Sequence, residues 1–207
     1  MADPRDTLEL WDYRRRVAVI YEAVRSGPPD QLTWQRWREE RDELFADHPQ
    51  SALDPDQRGE FRGLGYFPYD PAWRFQAKVE RREPAEASLD HSSVGATTSR
   101  LFGVARFFVG EQLIRLPMYW LHGYGGGVFV PFRDHTNGTA TYGGGRYLLD
   151  TAKGADLGHT EATVILDFNY AYHPSCVHNP KWSCPLAPPA NRIDLAVRAG
   201  ERLAAAS

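Results

Sequence analysis

The chain has 207 residues, of which 42% are hydrophobic and 25% charged, with a formal charge of −3 and a pI near 6.2. That length suffices for one substantial core burying roughly 70% of the unfolded surface, while the acidic balance argues against nucleic-acid binding, which needs a clustered excess of Lys and Arg. No apolar run approaches the ~18 residues that span a bilayer and the polar N-terminus has no signal-peptide core, so a cytoplasmic protein with reduced cysteines is expected, with no membrane partner.

Residues 7–25 place Leu10, Tyr13, Val17, Ile20, Tyr21 and Val24 on one helical stripe, with Asp6 and Glu9 in capping-box spacing and Gly27-Pro28-Pro29 as the stop. The Arg14-Arg15-Arg16 run then reads as a solvated helix face. A second helix is expected from about Thr33 to before His48-Pro49, with Trp34, Trp37, Arg41, Leu44 and Phe45 along its seam. Asp54-Pro55 starts a short third helical turn.

From Gly63 the pattern becomes β-rich. Trp73, Phe75, Ala77 and Val79 alternate with Arg74, Gln76, Lys78 and Glu80, as in a strand with one wet face, and residues 82–97 are polar and poorly patterned. Strands at about 99–109 and 112–121 flank the Gly110-Glu111 turn; a pair at 128–133 and 139–150 flanks Asn137-Gly138; further strands fall at 162–170 and 193–197. The fold class is mainly β with N-terminal helices (α+β), an antiparallel meander forming a barrel or sandwich. A helical segment, 1–62, packs on a β domain, 63–202, that carries a Pro/Cys-rich C-terminal loop.

The glycine run Thr141-Tyr142-Gly143-Gly144-Gly145-Arg146-Tyr147 carries the first candidate site. Read as a strand, it puts Tyr142, Gly144 and Arg146 on one face and Gly143, Gly145 and Tyr147 on the other, so the side chain missing at Gly144 leaves a hollow between a phenol and a guanidinium. On strand 162–170 the same alternation groups Asp167 with Asn169. If the two polar sets share a cavity, Arg146 grips a carboxylate or phosphate, Tyr142, Asn169 and Tyr147 assist, and Asp167 serves as general base. The alternative is an Arg146–Asp167 ion pair that fixes strand register. Asp134 and His135 are either a second acid/base pair or ordinary residues of the Asn137-Gly138 turn.

His173, Cys176, His178 and Cys184 offer thiols and imidazoles within a dozen residues. Their spacing fits no familiar zinc pattern, and the residues also admit a disulfide or redox pair, two buried thiols, or a catalytic Cys176. Gly123-Tyr124-Gly125-Gly126-Gly127 lacks the Lys-Ser or Lys-Thr of a phosphate loop and reads as a plain connection. No cofactor is implied.

The segments Phe129 to Asp134, Thr141 to Leu148, Asp167-Phe168-Asn169 and Cys176 through Cys184 to Asn191, with Tyr66 to Pro71 and Arg41 to Phe45, resemble the bacterial and archaeal domain-of-unknown-function family numbered 1684. The resemblance spans about residues 34–202, leaving the first helix as an addition. It implies an antiparallel β domain with a helical N-terminal segment and brings no activity with it. It also implies that the positions of His173 and His178 are more often Asn and Tyr, and that Ala190 replaces a usual acidic residue.

The expected function is binding of a small anionic metabolite, with cofactor-free acid/base chemistry at Asp167, Asp134 or His135 left open; six Trp, ten Tyr and ten Phe suit the apolar wall of such a pocket. The alternatives are a non-enzymatic interaction or homodimerisation module, and a metal or thiol enzyme centred on Cys176, Cys184 and His173.

Overall fold

The computed structural model describes residues 3–204; the first two residues of the expected helical segment lie outside the described residues. Helix α1 spans Pro4–Ser26. It begins earlier than its apolar stripe because Pro4 supplies a preset φ at the first turn and the Asp3 carboxylate accepts from Arg5 N, so Asp3, and not the Asp6/Glu9 pair, is the cap. Helix α2, Gln31–Asp47, buries the expected seam of Trp34, Trp37, Arg41, Leu44 and Phe45. Helix α3, Pro55–Glu60, carries a true capping box between Asp54 and Gln57.

Six antiparallel strands follow: β1 Arg74–Asp90, β2 Ala96–Val109, β3 Gln112–Leu121, β4 Gly127–Phe132, β5 Arg146–Asp150 and β6 Thr163–Asp167. Their order is β5-β4-β3-β2-β1-β6, so a meander is extended at its first strand by the last. The sheet curls into a half-barrel that brings β5 and β6 towards each other. Strand β1 continues through the polar stretch expected to be unpatterned, because a register shift between Arg81 and Ala85 lets the long hairpin with β2 resume as far as Asp90↔Ala96.

The concave face holds Ala77, Ala105, Leu116, Val130, Phe132 and Leu166, each essentially inaccessible to solvent. Against it pack the helices, through edge-to-face contacts of Trp37 with Tyr21, Tyr66 and Tyr170, each worth about 0.5–1.5 kcal/mol beyond the area buried. The Trp34 indole also donates to Asn169 O at 2.9 Å. The tryptophans of α2 therefore belong to the core, and α1 and α2 are welded to the β domain.

Three expected strands are revised: the one at 162–170 ends at Asp167, and Phe168–Tyr170 form a 3-10 turn. Residues 139–145 form a loop, and β5 starts only at Arg146, because Gly145 N turns back to Tyr142 O and Gly145 has φ of 99°. Residues 193–197 make no strand; Arg192 forms a single bridge with Arg133. Beyond it the carbonyls of Val197, Ala199 and Glu201, which a strand would offer to a neighbour, are taken by Arg146.

Candidate functional site

Between the two long helices and the end of β5 lies a cavity of about 230 Å³, larger than the ~150 Å³ apolar cavity that admits benzene. The stripe of α1 turns Tyr13, Val17 and Tyr21 into it; α2 contributes Arg41 and Phe45; the opposite wall is Tyr147 and Asp150 of β5 with Tyr172 and Cys184 beyond β6. Arg14 and Lys153 reach it with exposed side chains.

Two polar groups lining this cavity, one on each wall, have unmet hydrogen-bonding capacity. The Tyr21 hydroxyl and Asp150 Oδ1 are buried, and neither has a partner in the chain. An unmet buried polar group costs about 1–3 kcal/mol, so a fold that retains two in one cavity leaves places for a bound molecule or water to fill. Burial raises the Asp150 carboxyl above its ordinary range, opposed by Lys153, whose ammonium lies 3.6 Å from Oδ2. Burial also raises the Tyr21 phenol, keeping it a hydrogen-bond donor at neutral pH.

Two residues of the cavity lining, Arg41 and His173, belong to a buried polar cluster. Glu201 is buried, accepts from Arg41 Nη1 at 3.1 Å and pairs with His173 Nδ1 at 3.2 Å, while His178 Nε2 approaches the same oxygen at 3.3 Å. Burial opposes ionisation, but Arg41, then His173 and His178, hold the Glu201 carboxyl well below the usual carboxylate range. Arg41 also donates to the Tyr66 hydroxyl at 2.6 Å, so its charge is already matched within the chain.

The expected site residues disperse over several separate places. Arg146 is 0% exposed: it donates to Asp134 Oδ2 at 2.9 Å and to the carbonyls of Val197, Ala199 and Glu201 at 2.8, 2.5 and 3.2 Å. An ion pair does exist there, but its acid is Asp134 and not Asp167. Asp134 also accepts from Thr136 N, which makes it a buried turn anchor facing away from His135. His135 is half-exposed and pairs with Asp194 at 2.6 Å. The hollow expected above Gly144 is filled, since a β-carbon there would overlap the Tyr142 ring and the Leu186 methyl.

Asp167 and Asn169 do come together, at 2.9 Å, as a local cap, and Asn169 spends its remaining amide capacity on both backbone groups of Asp70. Burial raises the Asp167 carboxyl, with Asn169 opposing. Of the expected ligand-binding residues, Tyr147 lines the cavity, its hydroxyl donating to Pro185 O. Among the described residues no three His, Cys, Asp or Glu side chains converge as metal ligands would: His173 and His178 turn to Glu201, whereas Cys176 and Cys184 face Tyr142.

Residues 59–202 match the family described as a protein of unknown function, DUF1684. The chain belongs to this family. A solution NMR structure of an uncharacterised protein from Haloarcula marismortui is similar to it, with 34% identity and a TM-score of 0.59 over 84% of this chain and 94% of that one. No curated protein matches the chain. The DUF1684 match starts later than residue 34, so it takes in the sheet, Asp150 and Glu201 but leaves out α1 and α2. One wall of the cavity comes from the matched residues and the facing wall, with Tyr13, Tyr21 and Arg41, from those before them.

Tyr21, Asp150, Arg41 and Glu201 were not legible as site residues. Tyr21 and Arg41 sit in regular core-facing helix positions, and Glu201 lies in an unpatterned segment. Asp150 left the one usable signal, a carboxylate closing a wholly buried strand.

Proposed function

We propose that this protein binds a small amphipathic molecule in the cavity between its helices and β5. The apolar or aromatic body lies among Tyr13, Phe45 and Tyr172, and an anionic carboxylate or phosphate head points to Arg14 and Lys153 at the rim. The observation that carries this reading is the pairing of an aromatic wall with two unpartnered buried polar atoms, Tyr21 Oη and Asp150 Oδ1. Binding sites commonly combine an apolar lining with a few placed polar groups of this kind. A hydroxyl or carbonyl on the ligand would complete both. Asp150, with its raised carboxyl, is the group placed for acid/base chemistry on such a ligand, and the two free thiols suit action in the reducing cytoplasm.

The test is thermal unfolding against aryl and alkyl carboxylates and phosphates, in which a ligand at 100 times its Kd adds about 2.7 kcal/mol to the folded state. Wild type should respond to at least one amphipathic anion, Lys153→Ala should weaken the response, and Tyr21→Phe should reduce it. Absence of any response across the panel, or a response in both variants equal to that of wild type, overturns the reading.

A partner-binding role is favoured by a separate observation. Leu8, Trp11 and Val19 are exposed on α1, Trp11 at 68%, and a second copy of the chain could cover them. Sedimentation of wild type beside Trp11→Glu decides this; a concentration-independent monomer for both removes it.

A further inference from the structure

The tip of the β1–β2 hairpin carries a side-chain cluster that the binding reading does not use. It lies against the Pro-rich loop after β6, and backbone contacts fix the two segments to each other. Ser92 N donates to Cys184 O at 2.9 Å and Leu186 N to Asp90 O at 2.7 Å, while Cys184 N donates to Ser92 Oγ at 3.2 Å. His91 forms a β-bridge with Pro185. Its own N–H closes the tip on Gly95 O at 3.0 Å, a turn that Gly95 permits with φ of 121°.

This frame brings four side chains into one hydrogen-bonded line. Ser93 Oγ donates to Ser183 Oγ at 2.7 Å, Ser183 Oγ lies 3.0 Å from His91 Nδ1, and His91 Nε2 lies 2.7 Å from Thr97 Oγ1. Because Ser93 supplies a proton to the Ser183 oxygen, the Ser183 proton is free for Nδ1, and the Nε2 proton then goes to Thr97. A nucleophile, its base and the group that orients the base stand in this order. The backbone contacts already hold the two segments together, and hydrogen bonds among partly exposed side chains add little to a fold because water competes for them. Ser183 is exposed and also lines the cavity, so it stands at the cavity mouth.

From this geometry we propose that Ser183 is the nucleophile of an acyl-transfer site, with His91 as its general base and Thr97 as the residue that positions the ring. The substrate class is esters of carboxylic acids whose apolar acyl chain enters the cavity. Only the place of that chain rests on the binding reading above; the serine chemistry stands apart from it.

In the first step Ser183 Oγ attacks the ester carbonyl carbon while its proton passes to His91 Nδ1. A C–Oγ bond forms and negative charge gathers on the carbonyl oxygen, where the Ser93 hydroxyl is near enough to donate. The carbonyl re-forms, the bond to the alcohol oxygen breaks, and the alcohol leaves with the proton held by His91. Water then attacks the acyl-serine and gives a proton to Nδ1; the C–Oγ bond breaks, Ser183 takes that proton back and the carboxylic acid departs. Thr97 offers the imidazolium a lone pair and no charge, so turnover is slower than with a carboxylate in that place.

The test uses the full-length protein with p-nitrophenyl acetate, p-nitrophenyl octanoate and an alkyl fluorophosphonate. Peptide mapping of wild type should find the phosphonyl adduct on Ser183. Release of p-nitrophenolate should vanish in Ser183→Ala and fall by about a hundredfold or more in His91→Ala, the usual share of a general base. Thr97→Val should slow both release and labelling at an unchanged melting temperature, and Thr97→Ser should restore them. If a variant does not fold, the position of the adduct in wild type decides alone. The proposal is overturned if no adduct forms, if it forms on another residue, or if Ser183→Ala hydrolyses the acetate as fast as wild type. Octanoate should turn over faster than acetate. If acetate reacts at Ser183 and octanoate does not, the serine chemistry is upheld and the place of the acyl chain is overturned.

Discussion

Arg146→Ala tests the assignment of this guanidinium to the fold and not to a ligand. The substitution removes one partner of an ion pair whose side chains are both 0% exposed. Breaking such a pair from one side typically costs 3–5 kcal/mol, because the remaining charge stays buried and unpaired. Three carbonyls, of Val197, Ala199 and Glu201, lose their donor at the same time, at roughly 0.5–1.5 kcal/mol each. The total, about 4.5–9.5 kcal/mol, is comparable with the 5–15 kcal/mol of a whole domain. Urea unfolding followed by circular dichroism should therefore show a large shift in midpoint or an already unfolded chain. The pair Asp134→Asn with Arg146→Met, which removes both charges, should be more stable than Arg146→Ala. If Arg146→Ala unfolds within about 1 kcal/mol of wild type, or loses a ligand response while its stability is untouched, the structural assignment fails.

Tyr21→Phe should leave the unliganded protein as stable as wild type or up to about 1 kcal/mol more stable, since it deletes a hydroxyl that has no partner; a clear loss in a denaturant titration would mean the hydroxyl is satisfied. Glu201 has its folded carboxyl depressed below 4.5, so its contribution is present above that pH and is lost as pH falls towards the folded value. The melting temperature of wild type should thus drop below pH 4.5, and a Glu201→Gln variant should show a shallower acid slope. Gly145→Ala puts a β-carbon 2.5 Å from Phe132 O at φ of 99° and should cost on the order of 2–3 kcal/mol in chemical denaturation. His135→Ala, by contrast, removes a half-exposed pair with Asp194 and should fall within about 0.5 kcal/mol of wild type.

The helices and the two-residue hairpin at Gly110-Glu111 were legible because period and turn chemistry are local properties: the seam from Trp34 to Phe45 needs only its own spacing to be recognised. The run from Tyr142 to Arg146 was misread for a related reason. Alternation can be projected onto any segment, but whether it becomes a strand depends on a neighbour to pair with, and here the backbone turns at Gly145 instead. The partner of Arg146 was hidden because Asp134 and three carbonyls meet it through a loop and an unpatterned segment some fifty residues later. Asp167 and Asn169 were rightly grouped, yet proximity along the chain sufficed for that. The cavity is illegible in principle from either wall alone, as Tyr21 on α1 and Asp150 on β5 acquire a common environment only when the helices dock.

The three carbonyl acceptors of Arg146 lie more than fifty residues after it, and this orders events during synthesis. Until Val197 to Glu201 have been translated, Arg146 at the head of β5 has only Asp134 among its four acceptors, so the half-barrel cannot finish closing in step with its own production. A chain cut short before Val197 would keep every strand and helix but hold an exposed, unfinished interior, which is what cellular proteases recognise. The segment from Val197 to Glu201 thus acts as the latch of the half-barrel.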